Sequence, residues 1–314
     1  MSISTACWTA LIAASLIGLA VWLRGPTRAW RRKRKYRRQM AKAAEYWKNL
    51  TIQVRPKDGF YVIATMTTAP DRIHLLEPVL QALSSGQSRP PNEIHLNIPY
   101  RFGRTGQEYV LPDFLDRYPV KIFRGDDVGP GTKLIPTIRR TPADADVWFF
   151  IVDDDVRHLP EALATLLDRA LVDPSQTYGY ADNYLYRRWT APDGEVDILC
   201  GFAGFIVHRS FFKEDFETYL THTLSNPSCR FHDDVYLSNY LGLKGVCRRR
   251  IATEQVSLER MERLGCLLEQ GGNESSLAMG HGTGENTRVR AHRAMDFLRD
   301  AGLAAFSQNS ASKP

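Results

Sequence analysis

Cysteine is sparse and unpatterned: Cys7, Cys200, Cys229, Cys247 and Cys266 are the only five, and no two form a CxxC pair. That argues against a cysteine-built zinc site and favours free thiols in a reducing compartment over a disulfide scaffold. A GxxxxGK[ST] loop is absent, which removes the phosphate grip of the P-loop enzymes. No internal repeat is present.

Charge is missing from residues 6–23, ACWTALIAASLIGLAVWL. Acid is missing from residues 24–38, RGPTRAWRRKRKYRR, which hold nine Arg and Lys. Eighteen residues make about 27 Å of helix, near the lower limit for a membrane span. Trp8 and Trp22 stand near its ends, as interfacial tryptophans do. A cleaved signal peptide wants basic residues before its apolar run; here none precede it and the basic block follows. The pattern therefore predicts an N-terminal transmembrane anchor over residues 1–23. The positive-inside rule then places residue 24 onward in the cytoplasm. Because the basic block touches the span, it reads as a topology signal and an anionic-lipid contact, with no nucleic-acid role. Taking its nine charges from the net +6 leaves −3, so the remainder is mildly acidic.

After a neck over 24–58, apolar runs alternate with helical spacing. FYVIATMT (60–67), NEIHLNIP (92–99), VKIFRGDD (120–127) and VWFFIV (147–152) predict strands. DRIHLLEPVLQALSSG (71–86), LPEALATLLDRAL (159–171) and DDVYLSNYLGLKG (233–245) predict helices. TYGYADNYLYRRW (177–189) and VDILCGFAGFIVHR (196–209) predict further strands, antiparallel and at an edge, joined through a PDG turn at 192–194. The alternation argues for an α/β domain over 59–303 with a mostly parallel sheet, followed by a disordered polar tail over 304–314.

In such sheets ligands bind beyond the carboxyl ends of the strands. Three strand ends carry chemistry there: TMTTAPDR (65–72), GDDVGPGTK (125–133) and DDD (153–155). Three adjacent carboxylates repel one another unless something compensates. A divalent cation would, and hard oxygen ligands suit Mg²⁺ or Mn²⁺. Asp153 and Asp155, two apart, point to one side of an extended chain. The plain alternative is a solvated turn or a helix N-terminus, which aspartate also favours.

The first strand with TTAPDRI, NEIHLNIP, GPGTKLIPTI (129–138), the apolar strand running into DDD, and HDDVYLSNYL (232–241) occur in this order over about residues 60–250. In this the chain resembles the GT-A fold glycosyltransferases, which move a sugar from a nucleotide-sugar donor to an acceptor. The resemblance implies a GT-A Rossmann-like, mostly parallel sheet with helices on both faces. It matches Asp153 and Asp155 to the Asp-x-Asp metal motif, with Asp154 between them on the donor side. It matches Thr67, Thr68 and Arg72 to one nucleotide-contacting loop, and Asp127 and Lys133 to a second. Inverting members use a late acid at a helix start as base, which here is Asp233 or Asp234, with Asp234 preferred. Asp233 would otherwise serve as an N-cap, worth about 1 kcal/mol. GFAGF (201–205) resembles the acceptor-side strand. His281, in the glycine-rich stretch MGHGTGENTRVRAH (279–292), is a candidate third metal ligand.

The expectation is a single-pass membrane enzyme with its catalytic domain in the cytoplasm, at a bacterial inner membrane. It would transfer a sugar to a glycan or lipid-linked acceptor, with inversion. Two alternatives stand beside it: a Mg²⁺-dependent nucleotidyl or phosphoryl transferase, and a non-catalytic scaffold on anionic lipid.

Overall fold

A computed structural model describes residues 51–55, 59–181, 193–251 and 287–306. The expected anchor over 1–23, nearly all of the neck and His281 lie outside the described residues. Among the described residues, no helix is long and apolar enough to cross a membrane.

The described strands form one sheet in the order β3-β2-β1-β4-β7-β5-β8-β6. Its first half is parallel: β3 (Val120–Gly125), β2 (Glu93–Pro99), β1 (Val62–Met66) and β4 (Trp148–Ile151). β1 and β4 are buried along their whole length. This is why both read as near-continuous apolar runs, broken only by Thr65, rather than alternating ones. β7 (Phe205–His208) then pairs antiparallel with β4. β5 (Thr177–Gly179) is antiparallel to β7 and parallel to β8 (Arg248–Arg250), and β6 (Gly194–Glu195) closes the far edge.

The second half corrects the expectation in two ways. β7 lies inside the sheet, between β4 and β5, and not at an edge. The run 196–209 is not one strand but a 3-10 turn (Gly201–Ala203) followed by β7. Gly204 makes that break. Its φ of +86° suits glycine, and a Cβ there would lie 2.9 Å from the Phe150 ring and 3.0 Å from His158. Only 177–179 of the predicted strand 177–189 is a described strand, since 182–192 lies outside the described residues.

The helices are α1 (Glu77–Leu83), α2 (Ile135–Arg140), α3 (Ala162–Val172), α4 (Phe216–Leu224), α5 (Pro227–Arg230), α6 (Asp233–Leu243) and α7 (Thr287–Asp300). α1 is shorter than predicted because a separate 3-10 turn, Ile73–Leu75, precedes it. α6 is buried from Asp233 to Leu241, polar Asp233, Asp234, Ser238 and Asn239 included. An aromatic cluster clamps it to α4: Phe216 and Tyr219 meet Tyr240 at 4.8 and 5.1 Å between ring centres. The segment after α7 returns to the same helix. The Ala305 amide donates to Asn239 Oδ1 (2.7 Å), and Asn239 Nδ2 donates to the Leu303 carbonyl (2.7 Å).

Candidate active site

β1 continues to β2 and β3 on one side, and the chain then returns to β4 on the other. That reversal makes the carboxyl ends of β1 and β4 a topological switch point, where open α/β sheets bind ligands. A cleft of about 360 Å³ lies there. Thr67, Thr68, Arg72, Asp127, Lys133, Asp153, Asp154, Asp155, Asp233 and Asp234 all line it. These come from four separate stretches of chain, so the fold brings together every sequence-expected site residue within the described part.

The three acids after β4 have different partners. Asp154 is 8% exposed; it accepts from Thr68 Oγ1 (2.5 Å) and pairs with the Arg72 guanidinium. Burial dominates and pushes its carboxyl up to about 6, against the pull of Arg72. Both its oxygens are therefore engaged in joining β4 to the loop after β1. Asp153 and Asp155 are more open, with 29% and 36% of their side-chain surface exposed. Lys133 Nζ lies 2.5 Å from Asp153 Oδ1, and Arg72 lies 3.1 Å from Asp155 Oδ2. Burial also raises the Asp155 carboxyl, with Arg72 opposing.

Lys133 ends a 3-10 turn, Gly129–Lys133, whose last carbonyl is anchored to the sheet. Asn97 Nδ2 on β2 donates to the Lys133 carbonyl (3.1 Å), and Thr65 Oγ1 on β1 donates to it as well. Its ammonium reaches Asp233 Oδ2 at 3.0 Å in addition to Asp153. Burial is the strongest influence on Lys133 and lowers its pKa, but Asp153, Asp233 and Asp234 together outweigh it and hold the ammonium charged.

At the start of α6 the cap position belongs to His232, with Asp233 and Asp234 in the first turn, so Asp233 is not the N-cap. Asp234 Oδ1 accepts from the Gly201 amide (2.9 Å). Burial, then the neighbouring Asp233, raise its pKa well above the ordinary carboxylate range. A Cβ on Gly201 would lie 2.9 Å from Lys133 Nζ and 3.3 Å from Asp234 Oδ1. The missing side chain thus makes room for the Lys133 ammonium, and Gly201 belongs to a turn rather than to an acceptor-side strand.

Asp127 also has a structural role. Its two oxygens accept from the Gly103 amide (2.6 Å) and the Gly129 amide (2.7 Å), and Arg230 donates to its carbonyl (2.6 Å). It latches the loop after β2 to the Lys133 turn.

Several lining residues were not singled out from sequence: Phe102, Arg104, Tyr109, Arg230 and Arg290. Arg290 carried no signal in the sequence, because its burial shows only in the fold: it is 3% exposed and shares the buried stripe of α7 with Ala291, Ala294, Met295 and Leu298. The segment from 287 is helix and not a continuation of the glycine-rich stretch that begins at 279.

Among the described residues, no group of three or more His, Cys, Asp or Glu is arranged to hold a metal ion. Asp153 and Asp155 nevertheless fit the expected Mg²⁺ or Mn²⁺. Such ions are commonly held by one or two carboxylates, with substrate phosphates and water completing the shell.

No family model and no curated protein matches the sequence. Among solved structures, the chain is similar to the crystal structure of M. tuberculosis glucosyl-3-phosphoglycerate synthase, at 12% identity and a TM-score of 0.35, over 63% of this chain and 77% of that one.

Proposed function

We propose that the protein is a membrane-anchored, metal-dependent glycosyltransferase that moves a sugar from a nucleotide-sugar donor to a glycan or lipid-linked acceptor, with inversion. The observation that carries this reading is the meeting, in one cleft at the switch point, of the strand-end acids Asp153 and Asp155, the cations Arg72 and Lys133, and the helix-start acids Asp233 and Asp234.

Leaving of a nucleoside diphosphate builds negative charge. Mg²⁺ or Mn²⁺ held by Asp153 and Asp155 would supply Lewis-acid stabilisation of that charge. Arg72 and Lys133 add fixed positive charge on the same side, where the leaving diphosphate builds its negative charge. The acceptor hydroxyl is a weak nucleophile and needs a base. Asp234 suits that role, because its raised pKa makes it a stronger proton acceptor than a free carboxylate and the Gly201 amide orients it. Asp233, held by Lys133, keeps the ammonium between the donor and acceptor sides. The apolar run 6–23 and the basic block 24–38 would hold the domain at the cytoplasmic membrane surface, beside a lipid-linked acceptor.

The test is product analysis on the full-length chain in detergent, with UDP-, GDP- and dTDP-sugars and Mn²⁺. Metal-dependent release of a nucleoside diphosphate with glycosylated product supports the reading. Release of pyrophosphate would replace it with nucleotidyl transfer. No turnover or binding of any donor, from folded protein, would leave the lipid scaffold as the better explanation.

A further inference from the structure

We infer that Lys133 and Arg72 are exchangeable counter-ions, which neutralise Asp153 and Asp155 in the resting cleft and give them up when a divalent cation and a nucleoside diphosphate bind together. This rests on the donor-site reading above and adds a rule for how the site fills.

The pairing geometry carries the inference. Asp153 and Asp155 are the two open acids of the triplet, and each already faces a cation, at 2.5 Å from Lys133 and 3.1 Å from Arg72. Each cation also has a second carboxylate: Asp233 for Lys133 at 3.0 Å, and Asp154 for Arg72. When Lys133 leaves Asp153 it still has Asp233, and when Arg72 leaves Asp155 it still has Asp154. The exchange therefore never strands a bare charge in a buried cleft, which is the costly event for buried ion pairs. Both cations line the cleft, where the oxygens of a diphosphate can take the bonds they release.

Charge then dictates the order of filling. A dication alone must enter beside Lys133 and Arg72, and a diphosphate alone must enter beside Asp153 and Asp155. Each step sets like charges against each other, and the other ligand relieves that repulsion. Metal and nucleotide should tighten each other's binding by about tenfold, by the same factor in both directions.

The experiment titrates full-length protein in detergent with Mn²⁺, following the free-ion EPR signal. It is run alone and with UDP, GDP or dTDP, after correction for the Mn²⁺-nucleotide complex measured without protein. Wild type is expected to bind Mn²⁺ weakly alone and about tenfold more tightly with one nucleotide. Lys133→Gln and Arg72→Gln are expected to bind Mn²⁺ alone more tightly than wild type and to gain less from nucleotide. Equal Mn²⁺ affinity with and without nucleotide in wild type overturns the inference while leaving the donor site standing, and this needs no variant to fold. Weaker or unchanged Mn²⁺ binding in both folded variants also overturns it. No Mn²⁺ binding by wild type under any condition overturns both the inference and the metal-dependent reading.

Discussion

Asp234 faces two opposed demands. Its folded pKa is raised by burial and by Asp233, so the folded state holds a proton more tightly than the unfolded chain does. The sign follows: its contribution to stability falls as pH rises from the ordinary carboxylate range toward its raised value. Asp234→Asn, neutral at every pH and still able to accept from the Gly201 amide, is expected to raise Tm at neutral pH. It should cut transfer by about 10²–10⁴-fold, the usual worth of a general base. Wild-type transfer should fall as pH is lowered through the raised value, and that acid limb should be missing from the residual rate of the variant. A Tm below wild type, or full activity, would remove Asp234 from the base position. Gly201→Ala tests the neighbouring contact. Its methyl would sit 2.9 Å from Lys133 Nζ, so the ammonium must shift. Turnover is expected to fall by up to about 10²-fold, as positioning losses do, and nucleotide Kd to weaken with it, because the ammonium serves the diphosphate side. These residues were legible in part. The types and spacing of the DDD and HDD acids pointed to chemistry. That Asp154 ties its strand end to Thr68 was not readable, because a hydrogen bond between residues 86 positions apart leaves no local trace.

At the scale of elements, the Lys133 turn depends on β2 through one side chain. Asn97 Nδ2 donates to the Lys133 carbonyl, to Thr65 Oγ1 (3.1 Å) and to Thr137 Oγ1 (2.9 Å), while Asn97 Oδ1 accepts from Arg140 (2.6 Å). Asn97→Ala would leave buried partners unmatched, at a cost of about 2–4 kcal/mol. Urea unfolding should read that loss, and a change below about 0.5 kcal/mol, within the range of ordinary surface substitutions, would show the turn to be held by other means. The buried strands β1 and β4 were plain in the sequence because both faces are covered and Thr65 is the one polar residue in them. The sheet beyond β4 was not. Gly204 cuts a run that otherwise reads as one strand, and only the tertiary contact of Phe150 and His158 shows why. α7 was missed because its buried stripe mixes an arginine and small alanines with Met295 and Leu298 rather than repeating large apolar residues.

For the whole molecule, the reading turns on the cleft at the β1–β4 switch point being a metal-dependent nucleotide site on a membrane-anchored domain. The fold class followed from alternation of element types, a global signal. The antiparallel direction of β7 was expected, but its place between β4 and β5 was not, because strand order is set by contacts distant in sequence. The measurement that bears most directly on the cleft is nucleotide binding by the full-length chain, with Mn²⁺, with Mg²⁺ and with EDTA, for wild type and Asp155→Ala. Asp155 is the most open acid of the triplet, at 36% of its side-chain surface, and its loss leaves the Asp154 latch to Thr68 and Arg72 in place. One nucleoside diphosphate is expected to bind about tenfold more tightly with metal than with EDTA, and Asp155→Ala is expected to lose this gain while remaining folded. Binding that is indifferent to EDTA and to Asp155→Ala would contradict a metal-dependent site.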